Sequence, residues 1–199
     1  MESEILDGTG EGFRAKVDER GRLFSDSIAR EQLEYAILTG NGYNVSTGGI
    51  TLTTDNESGI GWFKYNGNDT CVVKEILVIL GSSTGGSGSG IITLLKNPTT
   101  GTVITNAVPV SAASNRDFSS STQLNALAYK GAEGDTLTNG ETFAITTRDA
   151  SFSGVVSFDA APIVLRRGNS IGIKFDPAAG NTSQTVTVAG TIYVETVKI

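Results

Sequence analysis

Cys71-Val72-Val73-Lys74-Glu75-Ile76-Leu77-Val78-Ile79-Leu80 decides the fold class, together with the Gly81-Ser82-Ser83-Thr84-Gly85-Gly86-Ser87-Gly88-Ser89-Gly90 stretch and the Ile91-Ile92-Thr93-Leu94-Leu95-Lys96 run behind it. From Val72 to Leu80 the chain is almost continuously apolar, rich in Val and Ile, and bounded by turn residues. That predicts a central strand buried on both faces. Gly81–Gly90 reads as the most flexible stretch of the body. The two flanking runs read as hairpin partners, which makes it a mobile loop tip rather than an interdomain linker. Cys71, at the head of the apolar run, reads as a small core residue and not as a reactive thiol.

Outward from this stretch the same period of two recurs. It predicts strands at Tyr43–Val45, Ile50–Thr54, Gly61–Tyr65, Val103–Thr105, Thr142–Thr147, Val155–Phe158, Ile163–Leu165, Ser170–Phe175 and Thr185–Val197. Turn chemistry separates them at Thr47-Gly48-Gly49, Asn66-Gly67-Asn68-Asp69, Asn97-Pro98, Asn139-Gly140, Arg167-Gly168-Asn169 and Asp176-Pro177. Gly190 predicts a bulge or bend in the last strand. The tail Thr185–Ile199 reads as a weakly guarded strand without proline and is expected to be an open edge that finds a partner. Residues 107–135 show no period; so long a loop is functional or conceals structure. Many short strands without helices between them predict an all-β fold, a β-sandwich of jelly-roll type over residues 41–199.

Residues 1–40 differ in kind: they are charge-rich and read as an N-terminal arm. An acidic, glycine-bearing start (residues 1–12) precedes Phe13-Arg14-Ala15-Lys16-Val17-Asp18, a turn at Glu19–Arg22, and Leu23-Phe24, which together suggest a hairpin. Ser25, Asp26 or Ser27 can cap one short helix that runs to about Leu38 and stops at Gly40. Ala29, Leu33, Ala36 and Ile37 share a face of it, with Arg30, Glu31 and Glu34 away from that face. Such a stripe lies on the domain's own sheet or on a neighbouring subunit.

Composition excludes much chemistry. The 199 residues contain one cysteine and no histidine, which removes Ser-His-Asp and Cys-His nucleophiles and a structural zinc site. No cofactor or metal is expected. A net charge of −6, with no basic cluster beyond Arg166-Arg167, argues against direct nucleic-acid binding. No stretch reaches the length of a membrane-spanning helix. Met1-Glu2-Ser3-Glu4 lacks the basic start of a signal peptide, so synthesis in a cytoplasm, without export by that route, is expected.

The remaining candidates each meet a plainer reading. Asp55, Glu57, Asp69, Glu133, Asp135, Asp149 and Asp159 sit in or beside turns, where solvated carboxylates are ordinary; a glycosidase pair needs two that meet. Asn66–Asp69 and Glu133-Gly134-Asp135 could offer calcium ligands but lack the ordered spacing of a calcium loop. The Asn-x-Ser/Thr tripeptides at Asn44, Asn56, Asn68 and Asn181 are no more than chance gives in so Ser/Thr-rich a chain. Trp62-Phe63-Lys64-Tyr65 is the densest aromatic group. Strand alternation puts Trp62 and Lys64 on one face and Phe63 and Tyr65 on the other, so one side is core and the other a candidate glycan platform, which would use Trp62, Tyr65 or the 107–135 loop.

Phe13–Thr54 resembles the opening of small structural proteins encoded among the virion genes of tailed double-stranded DNA bacteriophages, with a Val-Asp-x-x-Gly-Arg-Leu stretch, a helix, a Gly-Asn turn and a Thr-Gly-x-Ile-Thr-Leu-Thr strand. Leu80–Leu94 with Asn97-Pro98-Thr99, Lys130–Ala144 and Leu165–Glu195 are similar to that family too. The resemblance implies a non-enzymatic assembly component: an auxiliary, decorating or head-fibre-like capsid protein located in the virion. The alternatives are a neck or tail accessory protein and a carbohydrate-binding jelly roll for host attachment. The expected partners are other virion proteins and further copies of the chain, as a trimer or dimer. In the arm, Phe13, Val17, Leu23 and Phe24 are the expected apolar anchors; Arg14, Lys16, Arg20 and Arg22 are available for acidic partner surfaces.

Overall fold

The computed structural model describes residues 16–17, 23–24, 32–97, 104–110, 114–158 and 162–195. The chain divides into two compact units, Met1–Glu31 and Gln32–Ile199. In the first, β1 (Lys16–Val17) pairs antiparallel with β2 (Leu23–Phe24), Lys16 opposite Phe24 and Val17 opposite Leu23. The expected hairpin is present there. Phe13, Arg14, Arg20, Arg22 and the helix-capping residues 25–27 lie outside the described residues.

The second unit opens with helix α1 (Gln32–Leu38). Then come β3 (Gly42–Ser46), β4 (Ile50–Leu52), β5 (Ser58–Tyr65), β6 (Thr70–Leu80), β7 (Ser89–Lys96), the short β8 (Val108–Pro109) and β9 (Ser114–Asn115), and β10 (Ala126–Lys130). It closes with β11 (Glu141–Asp149), β12 (Gly154–Phe158), β13 (Ile163–Leu165), β14 (Ser170–Asp176) and β15 (Gln184–Glu195).

One sheet has the order β12-β6-β15-β3-β9, with β13 also on β6 and β4 also on β15; the other runs β11-β7-β14-β5-β10-β8. The chain changes sheet at nearly every connection from β4 onward, and only β7 and β11 are successive long strands within one sheet. Counting β3 with β4 and β12 with β13, the eight long strands interleave as the two Greek keys of a jelly roll. The expected fold class is therefore what the strand order shows. Between the sheets lies the main core, with Tyr43, Leu52, Ile60, Val78, Ile92, Leu94, Val156, Phe175 and Val186 nearly or wholly inaccessible.

Long-range details differ from expectation. β6 and β7 are not hairpin partners: they belong to opposite sheets, and residues 81–88 cross between them. β15 is not an open edge, because β6 flanks it on one side and β3 with β4 on the other. β6 is central but not buried on both faces. Ile76, Val78 and Leu80 point into the core, while Ile79 on the reverse face is 39% exposed beside Val155 at 54%. Only near Val72 is that reverse face covered, by Ala36 and Leu33 of α1 together with Tyr193. Leu33 and Ala36 of the helix stripe thus lie on the domain's own sheet, while Ala29 lies outside the described residues. Ile104 makes a single bridge to Leu137, without a described strand around it. The bulge expected at Gly190 falls one residue later, with Lys74 of β6 as the extra residue.

Residues 104–137 resolve the segment without period. They supply β8, β9 and β10, and they lay Ile104 and Leu137 over Trp62 and Leu95 on the outer face of the six-stranded sheet, a second small core.

Candidate interaction surfaces

The sandwich has two ends of different character. At the first end four loops meet, those joining β4 to β5, β6 to β7, β11 to β12 and β14 to β15. Thr84 N–H donates to Ser183 O (2.8 Å), Thr182 N–H returns to Thr84 O (2.7 Å), and Ser87 N–H donates to Ala179 O (2.9 Å). Ser83 N–H reaches Ala150 O at 3.1 Å, and Ala150 N–H reaches Gly88 O at 2.9 Å. Residues 81–88 are therefore stitched along their length, unlike the free tip their composition suggests.

Asn181 is the hub. It is 4% exposed; its Nδ2 donates to Leu52 O (3.2 Å) and Thr54 O (2.8 Å), and its Oδ1 accepts from Ser83 Oγ (2.8 Å). Asp55 accepts from Gly180 N–H at 2.9 Å. Gly85 and Gly180 pass face to face at φ +77 and +75; a Cβ on Gly85 would stand 2.9 Å from Gly180 O. Only glycine suits that crossing. The sole sequence signal at Asn181 was a glycosylation tripeptide, which its burial now explains away.

Of the candidate carboxylates, Asp55, Glu57, Glu133, Asp135 and Asp149 are engaged in hydrogen bonds or ion pairs, and Asp159 lies outside the described residues. Glu133 accepts from Thr53 N–H and Oγ1–H and from Thr54 N–H, which fastens the insertion to the loop after β4 and holds its carboxyl below the usual range. Asp135 accepts from Ala132 N–H and Asn106 Nδ2. Glu57 pairs with Lys174 at 2.8 Å. Asp176 is raised, first by burial and then by Glu57 and Asp55. Asn68 accepts from Arg167. Among the described residues no group of three or more His, Cys, Asp or Glu could hold a metal ion, and no helix is long and apolar enough to cross a membrane. Burial pushes the Cys71 thiol up to about 12, so it stays protonated and inert at neutral pH.

Trp62 and Tyr65 do not come together. Tyr65, 2% exposed, points into the main core; Trp62, 5% exposed, lies under the insertion with Tyr129 at 5.5 Å between ring centroids. Neither ring presents a face to a sugar. Among the described residues the Trp62 Nε1–H has no hydrogen-bond partner, and its ring lies tilted at 38° to that of Tyr129.

The second end carries α1, the turns 66–69 and 166–169, and the turn after β9. Here α1 ends in a Schellman closure: Gly40 N–H to Ile37 O (3.0 Å) and Asn41 N–H to Ala36 O (2.6 Å), with Gly40 at φ +75. The residues sequence reading missed are at this end. Tyr35 is 61% exposed, Leu38 56%, and Phe118 98%. Phe118 rides on a turn that Asp117 secures by accepting from Ser119 N–H and Oγ–H. That turn lies against the helix stop, since a Cβ on Gly40 would meet Ser120 Oγ at 2.4 Å. The available signals were Tyr35 and Leu38, apolar residues off the helix stripe, and a phenylalanine inside a Ser/Asn/Asp run.

No family model matches the sequence, and no curated protein matches it. Among solved structures the chain is similar to one of deformed wing virus carrying the GFP gene, at 6% identity over 85% of this chain and 87% of that one, with a TM-score of 0.30. It is similar to a chain of Mud Crab Dicistrovirus at 11% identity over 96% and 84%, TM-score 0.30. A third likeness is to the infectious bursal disease virus VP2 subviral particle, at 12% identity over 77% and 41%, TM-score 0.18. Likenesses of this size carry no argument, and the fold assignment rests on the strand order.

Proposed function

We propose that this chain is a non-enzymatic structural component of a tailed-phage virion, an auxiliary or decorating capsid protein. In this reading the jelly-roll body self-associates and the N-terminal arm fastens it to the particle. One observation carries the proposal. The segments that resemble phage structural proteins, Leu80–Leu94 and Leu165–Glu195, hydrogen-bond to each other as the closed end of the sandwich. The opposite end is left with exposed Tyr35, Leu38 and Phe118. Exposed aromatic and aliphatic side chains on a well-fastened scaffold suit protein–protein contact. The carbohydrate-binding alternative draws no support from the buried Trp62 and Tyr65.

The test is co-sedimentation with purified particles. Because α1 rests on Val72 and Tyr193, the truncation belongs after Glu31, not after Gly40. The full chain is expected to sediment with particles and the truncated chain to stay in the supernatant. Equal incorporation of both removes the arm as the anchor.

A further inference from the structure

The edge open for self-association is β11, not the C-terminal strand. β11 spans nine residues, ends the six-stranded sheet, and among the described residues pairs only with β7. It holds no proline and no lysine, and the charges it does carry, Glu141, Arg148 and Asp149, lie near its two ends. Phe143 and Ile145 are 56% and 62% exposed on it.

The bulge in β11 makes the strand complementary to itself. Thr142 lies opposite Leu95 and Ala144 opposite Leu94, so Phe143 is the extra residue. Core-facing Leu94 and Ile92 stand opposite Ala144 and Thr146, which places Glu141, Ala144, Thr146 and Arg148 on the inner side. Thr142, Ile145 and Thr147 take the outer side. Opposed residues in an antiparallel pair share a face. A two-fold axis through Ile145, with the bulge counted, obeys this at every step. It sets Ile145 against Ile145, Ala144 against Thr146, Thr142 against Thr147, and Glu141 against Arg148. The last pairing occurs twice, with opposite charges directly opposed each time. Glu141 has a side chain 78% exposed and only a 3.7 Å contact with Lys96, so it is available to it.

We propose that two copies of this chain join through β11, antiparallel about Ile145, to form one continuous sheet with reciprocal Glu141–Arg148 pairs. Closed two-fold pairing of this kind is isologous and self-limiting. The inference rests on the self-association in the function proposed above.

Light scattering on the full-length protein at micromolar concentration tests it, with circular dichroism to confirm that each variant folds. The expected mass is twice the chain's 20.7 kDa. Glu141→Arg and Arg148→Glu each oppose like charges and are expected to weaken the dimer about tenfold or more. The double variant E141R/R148E restores opposite charges and is expected to recover the dimer. A stable oligomer that neither single reversal weakens overturns the β11 interface but leaves self-association standing, as does a mass of three chains. A monomer overturns both.

Discussion

The two ends of the sandwich are built from similar residues, Gly, Ser, Thr and Asn, yet are put to opposite uses. At the first end those residues spend their hydrogen bonds on one another across four loops. At the second, Gly40 closes α1 and Asp117 secures the turn of Phe118 locally, the turns 66–69 and 166–169 are tied to each other through Arg167 and Asn68, and large apolar side chains are left facing solvent. The difference teaches that composition alone does not mark a flexible loop. A Gly/Ser run is mobile when its backbone is solvated and fixed when a facing loop satisfies it.

Substitutions at matched positions sharpen this contrast. The largest effect is expected for Asn181→Ala, which strands the buried Leu52 carbonyl and frees Ser83. It should cost about 3 kcal/mol and lower the melting temperature by about 6–12 °C. Next is Gly85→Ala, where a left-handed residue also meets the Gly180 carbonyl, at about 2 kcal/mol. Its control at the other end is Gly168→Ala: φ is +86 there, but nothing lies within 4 Å of the added Cβ. Only the backbone term remains, about 1 kcal/mol. Equal losses at Gly85 and Gly168 in chemical denaturation would erase the contrast between the ends.

A titration separates the Glu133 anchor from its surroundings. Thr53 and Thr54 hold its carboxyl below the ordinary value, so its stabilising contribution is present above the unfolded Glu value and fades as pH falls through the lower folded one. Glu133→Gln should therefore flatten the acid side of the stability profile below about pH 4.5; an unchanged acid limb means the anchor contributes nothing. The smallest stability effect is expected for Phe118→Ser, within about 0.5 kcal/mol by denaturant melt. The same variant should still bind particles more weakly, because its side chain touches solvent and not the core.

Most long strands were legible because alternation is local: β5, β6, β7, β14 and β15 lie where their patterns put them. What was not legible is non-local. The apolar run of β6 cannot say that its partners are β12, β13 and β15 rather than β7, since jelly-roll neighbours are distant in sequence. The alternation of β15 reports one wetted face, which an edge strand and a central strand share. β8, β9 and β10 are too short to establish a period, and Ile104 and Leu137 join a core only because the insertion folds back over Trp62. Asn181 looks like any loop asparagine until two other loops close around it.

The central claim is that the chain is built into particles. Quantitative mass spectrometry of virions purified through a density gradient, from the phage proposed to encode it, tests this. The account predicts the protein at a fixed copy number per particle, retained after a salt wash. Abundance in the infected-cell lysate with none in the purified particles would contradict it.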